Sequence, residues 1–212
     1  HYISVFEKKV SSYLGCKYAV ACINGTSALQ VALRISGVSN GDEVIVPTLT
    51  FIAPINAVIY NNAKPIFMDC DNFYNLDADK TIQFIKKKTV FKNNFTFNNK
   101  TRNRISAILP VHLWGNAAKL EELLQVCKAR NISIVEDAAE SFGTQYINGK
   151  LKNRFTGTIG KVGCLSFNGN KIITTGGGGM LLTNDQKLAN KAKYLVNQAK
   201  DNALTYIHND IG

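Results

Sequence analysis

Short apolar runs recur along the chain with helix-period segments between them, and this alternation constrains the fold more than any other feature. Tyr18–Ala21, Val44–Val46 (closed by Pro47), Pro65–Met68, Ile105–Leu109, Ile132–Val135, Val162–Ser166 and Met180–Thr183 read as strands. Between the first two, Ala28, Val31, Ala32 and Ile35 recur at i, i+3, i+4 and i+7, which predicts a helix over 27–35. Phe51–Tyr60 and a segment closing at Ile82–Lys88 read as helices. So do residues 118–130, with Leu120, Leu123, Leu124 and Cys127 on one face, and a last segment marked by Leu188, Ala192, Leu195 and Val196. The run Ile132–Val135 is apolar without alternation, as in a strand covered on both faces. The order predicts an α/β domain with a mostly parallel central sheet flanked by helices. It fills residues 1–212, long enough to bury a core without staples.

Composition narrows the class. With 45% hydrophobic and 19% charged residues the chain is globular, not disordered. No apolar run approaches the roughly 18 residues of a membrane span. Nor does the start, His-Tyr-Ile-Ser-Val-Phe-Glu-Lys, have the basic-then-apolar order of a signal peptide. Both ends read as cuts in a longer product. The five cysteines are odd in number with no C-x-x-C pair, which argues against a zinc ribbon and a disulfide framework, and no metal site is expected. A reducing, cytoplasmic compartment is expected. The net charge of +10 permits an anionic partner without demanding one. Residues 86–104, KKKTVFKNNFTFNNKTRNR, break the rhythm and read as a solvated insertion or long loop. The interleaved Phe91, Phe95 and Phe97 leave single-stranded nucleic acid only as a distant reading, so neither nucleic acid nor membrane is expected as a partner.

Parallel sheets bind ligands at the carboxyl ends of their strands, so the polar residues that follow strands carry the functional argument. Four clusters lie there. Asn24-Gly25-Thr26-Ser27 opens a helix, and helix N-termini favour anions, though one of these residues can equally be an N-cap. Asp137 follows the run Ile132–Val135, and is either the cap of a turn or a partner for a cationic ligand atom. Lys171 follows Val162–Ser166 after a short loop, with Leu165, Phe167, Ile172 and Ile173 flanking it; a lysine taken out of water is a nucleophile. Gly176–Gly179 precedes a strand, gives close backbone approach, and lacks the Lys-Ser/Thr ending of a Walker loop. Together, an anion cradle, a strand-end aspartate and a partly buried lysine are the requirements of pyridoxal phosphate: phosphate on the helix start, pyridinium on the carboxylate, imine on the lysine.

The segments NGTSAL (24–29), PTLTFIAP (47–54), VEDAAES (135–141) and SFNGNKIITTGGGG (166–179) resemble the DegT-type nucleotide-sugar aminotransferases, fold-type I enzymes dependent on pyridoxal 5'-phosphate. The resemblance covers essentially the whole chain. It implies that Lys171 is the Schiff-base lysine and Asp137 the pyridinium partner. Ser166, Gly25, Thr26 and Ser27 would hold the phosphate, and Phe51 would stack on the ring. Glu140 stands where many relatives carry Gln near the ring hydroxyl, and His112, in PVHLWG, falls in a motif close to the site.

The resemblance further implies transfer of an amino group from glutamate to a nucleotide-linked keto sugar, in polysaccharide or glycan biosynthesis, by a cytoplasmic homodimer. UDP-linked 4-keto amino sugars of legionaminic acid or bacillosamine pathways fit, and so does a GDP-linked sugar of perosamine type. Lys171 argues against the dehydratase branch, which carries histidine there. Relatives of this kind are longer at both ends, so the chain corresponds to the cofactor-binding large domain without the smaller C-terminal one. Another fold-type I enzyme, or a non-catalytic cofactor-binding regulator, is the alternative.

Overall fold

Helix α1 (Tyr2–Leu14) packs under the sheet edge, although no helix is expected there from the apolar runs. Its Val10 and Leu14 are buried, Phe6 meets Phe167 edge-on at 5.0 Å, and Gly15, in the left-handed region at φ +68°, ends it. The structure, a computed structural model, describes residues 2–202 and 207–212.

Apart from two strands within 89–98, the remaining elements follow the expected order with boundaries shifted by a few residues. They run β1 (Tyr18–Cys22), α2 (Gly25–Ile35), β2 (Glu43–Pro47), α3 (Ile52–Tyr60), β3 (Lys64–Met68) and α4 (Ala78–Lys88). Then come β4 (Thr89–Lys92), β5 (Phe95–Asn98), β6 (Arg104–Ile108), α5 (Glu121–Ala129), β7 (Ser133–Asp137), β8 (Val162–Ser166), β9 (Gly179–Thr183) and α6 (Gln186–Val196). Helix starts obey side-chain chemistry: Asn24, Asp77 and Asp185 each accept backbone N–H bonds at the starts of α2, α4 and α6. Pro54 sits in the first turn of α3, where no helical N–H bond is lost. Three lysines, Lys86–Lys88, end α4, where the helix dipole favours positive charge.

The sheet runs β1-β9-β8-β7-β6-β2-β3. β2, β3, β6, β7 and β8 pair in parallel, and β9 pairs antiparallel with both β8 and β1. The expected α/β architecture with a mostly parallel sheet is therefore present. Helices cover both faces: α2 and α3 bury Leu29, Leu33 and Val58 with Val44, Val46 and Leu109, and α4 and α5 bury Ile85 and Leu123 with Ile45, Ile105 and Ile134. All five residues of β2 and of β9 are buried, the pattern of strands covered on both sides.

Residues 86–104 correct the sequence reading. They hold a β-hairpin, β4–β5, that extends the sheet by pairing antiparallel with the start of β6. Asn93 and Asn94 form its two-residue turn, both with positive φ (51° and 63°), a conformation asparagine tolerates. The hairpin was illegible as strand because polar Thr96 and Asn98 face inward, bonded rather than packed. No helix among the described residues is long and apolar enough to cross a membrane.

Candidate active site

The parallel strands deliver their chemistry to one end of the sheet, where a cavity of about 270 Å3 opens. That is close to the lower end of the roughly 300–1,000 Å3 typical of small-molecule clefts. Gly25 and Thr26 line it after β1, Thr50 and Phe51 after β2, Asp137 at the end of β7, and Ser166 and Lys171 at and beyond the end of β8.

The floor on one side is the start of α2. Asn24 Oδ1 accepts the N–H of Ser27 at 2.8 Å and the Asn24 carbonyl accepts that of Ala28 at 3.1 Å. The N–H groups of Gly25 and Thr26, in the first turn, have no intrahelical acceptor. Glycine at 25 is a matter of space: a Cβ there would lie 2.9 Å from Ser166 Cβ. Gly179 answers the same constraint from the next strand, since its Cβ would stand 2.3 Å from the backbone of Asn24. The last of the four glycines is therefore what lets β9 pass against the cradle.

Asp137 faces the cavity from the end of β7 and is buried. Its backbone is pinned on both sides, its N–H donating to the Pro110 carbonyl at 2.9 Å and its carbonyl accepting from His112 N–H at 3.0 Å. Burial pushes the Asp137 carboxyl up to about 6, against the partial opposition of the Ala139 N–H bond and of the Lys171 charge, with Glu140 adding to the rise. A carboxylate so placed is stabilised by a cationic ligand atom.

Lys171 leaves a loop that is otherwise in water. Ile172 and Ile173 are exposed, so the apolar flanks do not shield it as the sequence suggests. Instead its side chain dips into the cavity and is only 16% exposed. Its Nζ lies 3.2 Å from Glu140 Oε1, while Glu140 Oε2 accepts the N–H of Trp114 at 3.0 Å.

The structure thus brings Gly25, Thr26, Phe51, Asp137, Glu140, Ser166 and Lys171 around one cavity. Phe51 caps the start of α3 at the mouth and is largely exposed. Ser27 lies on the other side of α2, and its N–H is already taken by Asn24. His112 is fully buried outside the cavity, with Nε2 on Glu136 and Nδ1 accepting the Ala118 N–H. Sequence reasoning missed Thr50, whose buried hydroxyl in the cavity wall has no hydrogen-bond partner, and Glu136, which is buried behind the site. Thr50 stood inside the quoted segment 47–54, and Glu136 stood next to Asp137. Only alternation along β7 could have marked Glu136 as pointing the opposite way.

Comparison with known proteins agrees with this geometry. The model of the DegT/DnrJ/EryC1/StrS aminotransferase family matches residues 1–212. The chain is 39% identical over 212 residues to the GDP-perosamine synthase of Escherichia coli O157:H7, covering 100% of this chain and 53% of that protein. It is 42% identical over 201 residues to the GDP-perosamine synthase of Caulobacter vibrioides, covering 94% and 48%. The crystal structure of a DegT DnrJ EryC1 StrS aminotransferase from Brucella abortus superposes with a TM-score of 0.84 at 32% identity, over 99% of this chain and 53% of that one. The chain therefore spans about half the length of the relatives it matches. On the match along its whole length, the chain belongs to the DegT/DnrJ/EryC1/StrS aminotransferase family.

Proposed function

We propose that this chain is the cofactor-binding part of a pyridoxal phosphate-dependent aminotransferase that moves an amino group from glutamate to a nucleotide-linked keto sugar. The observation that carries the reading is the convergence of the Lys171 amine, the buried Asp137 carboxyl and the N-terminus of α2 on one cavity.

The residues present fit that cofactor. Glycine at 25 lets the start of α2 lie directly against Ser166, and the buried Thr50 hydroxyl in the same wall has no protein partner. The N–H groups of Gly25 and Thr26, with Ser166, would hold the phosphate at the positive end of the α2 dipole. Phe51 would cover one ring face. Bound there, the cofactor supplies an electron sink for negative charge at the donor's α-carbon. Asp137 would hold a proton on the ring nitrogen, an interaction that removes its own burial penalty. Lys171 would hold the cofactor's aldehyde carbon, and its amine would serve as the base that takes up the proton of the donor's α-carbon. Glu140 holds the Lys171 amine inside the cavity. His112 would support the site through its ring bonds to Glu136 and Ala118, and Ser27 through its backbone bond to Asn24.

The GDP-perosamine synthases among the relatives favour a sugar nucleotide, with GDP- and UDP-linked 4-keto sugars the first to try. A second copy of the chain would cover the outer side of α3, where Phe51, Ile52, Ile59 and Tyr60 are exposed. Five free thiols suit a reducing cytoplasm. The test is to supply the complete protein with glutamate and a panel of nucleotide-linked keto sugars and follow product mass. Amination of a sugar nucleotide supports the reading; turnover of amino acids and keto acids alone overturns the sugar assignment.

A further inference from the structure

The β4–β5 hairpin has one anchored face and one more open face, the latter crossed by Arg104, which pairs in register with Phe97. On the inner face, Thr96 Oγ1 donates to the Arg130 carbonyl at 2.6 Å and Asn98 Nδ2 donates to the buried Glu43 Oε2 at 2.8 Å. Asn131 Nδ2 donates to the Asn94 carbonyl at 2.8 Å, and Arg104 beside the hairpin pairs with Asp42. These bonds make it a fixed part of the sheet. Register pairs Val90 with Phe97 and Lys92 with Phe95, so these four side chains share the opposite, outward face. Val90 and Phe95 are about two-fifths exposed; Phe91, paired with Thr96, lies on the other face.

Residues 86–104 contain seven Lys and Arg and no Asp or Glu. Of these cations, only Arg104 makes an ion pair among the described residues. The hairpin also hangs from the start of β6, at the end of the sheet opposite the cavity.

We propose that the outward face of the β4–β5 hairpin, with Lys86–Lys88 beside it, is a docking surface for an anionic phospholipid bilayer. Val90 and Phe95 exposed on this face, with Lys92 between them and Lys86–Lys88 at its side, match the two components of interfacial binding: shallow apolar insertion and attraction to acidic headgroups. A second copy of the same face would set lysines against lysines. A stacked nucleic acid base would compete with the Arg104 guanidinium, which already lies 5.2 Å from the centre of the Phe95 ring. No helix among the described residues is long and apolar enough to cross a membrane, and this has no bearing on surface contact. Docking by this end leaves the cavity mouth turned away from the lipid. This inference does not depend on the chemistry at Lys171.

The experiment is co-sedimentation of the complete protein with vesicles of phosphatidylcholine alone and of phosphatidylcholine with phosphatidylglycerol, at low and high salt. Partition onto the anionic vesicles at low salt, lost at high salt and on neutral vesicles, is the expected result. Each lysine near an acidic surface is worth about fivefold, so K86A/K87A/K88A is expected to lower partition about a hundredfold. V90S/F95S is expected to lower it severalfold, and both variants should still unfold in one cooperative transition. Equal partition onto both vesicle types, no partition onto either, or variants that bind like the parent would overturn the proposal. So would a single-stranded oligonucleotide that displaces the vesicles through the same residues.

Discussion

His112 Nε2 lies 2.9 Å from Glu136 Oε2, and neither side chain has any exposed surface. Because His112 Nδ1 accepts the Ala118 N–H at 3.0 Å, the ring carries its proton on Nε2 and donates it to Glu136. The same carboxylate accepts the N–H groups of Gly157 (2.9 Å), Ile159 (2.7 Å) and Gly160 (2.6 Å). One buried charge thus ties three segments together: the stretch after β6, strand β7 and the 157–160 turn. Asp137, the next residue on β7, takes its position from this knot.

Glu136→Gln is expected to destabilise the protein by about 2–4 kcal/mol, since the amide turns a donor toward groups that are all donors. Urea unfolding at neutral pH measures it. Burial alone would push the Glu136 carboxyl up, but the His112 bond and the Gly160 and Gly157 N–H groups outweigh it and hold it below its ordinary value. Its contribution is therefore present above the ordinary carboxylate range and lost as pH falls through and below that range. The gap between parent and Glu136→Gln should narrow on acidification; a gap independent of pH would show that the lost charge is not the cause.

Asp137 has the opposite sign. Its carboxyl is raised to about 6 from an ordinary 3.8, so the folded cofactor-free protein holds the proton more tightly than the unfolded chain. Stability should fall as pH rises from about 4 to about 6 and then level off, by at most about 3 kcal/mol. Asp137→Asn removes this slope, making the cofactor-free variant more stable than the parent at pH 8 and not at pH 4. The same variant should lose turnover in the complete protein by about a hundredfold or more. Thermal melts across pH, paired with rate measurements, check both halves.

Lys171→Ala is expected to abolish covalent capture of pyridoxal phosphate. Treatment with borohydride followed by peptide mass analysis should find the label on Lys171 in the parent and nowhere in the variant. The melting temperature should change little, since the amine's pairing with Glu140 is partly solvated and such pairs are worth roughly 0–1 kcal/mol. Labelling of another lysine would overturn the assignment.

Gly25→Ala places a methyl 2.9 Å from Ser166 Cβ. Relief requires α2 and β8 to part, at a cost of about 1–3 kcal/mol. Because the added carbon lies in the cradle itself, cofactor affinity should drop at least as much as stability, which fluorescence titration can compare. Retained affinity would show that the phosphate sits elsewhere.

Local pattern was enough for the frame. Seven strands and five helices are legible because apolar period and cap chemistry agree, as at Asn24 before α2 and in the unbroken run Ile132–Val135. Helix α1 offers only the sparse recurrence of Phe6, Val10 and Leu14 every four residues, and the hairpin at 89–98 lacks an apolar alternation because its inward Thr96 and Asn98 are polar. Strand ends pointed to Gly25, Asp137, Ser166 and Lys171, since a parallel sheet collects whatever follows its strands at one edge.

Which side of each residue faces that edge was decided by tertiary structure alone. Lys171 is withdrawn from water by the cavity and Glu140, not by its apolar neighbours in sequence. His112 and Glu136 are drawn into a buried bond, and Ser27 is turned behind α2. Sequence fixes the period of a chain, and hence its elements and the end of the sheet where chemistry gathers. Burial and hydrogen-bond partners are properties of pairs far apart in the chain, such as 112 with 136 or 140 with 171, and exist only once the sheet has brought them together.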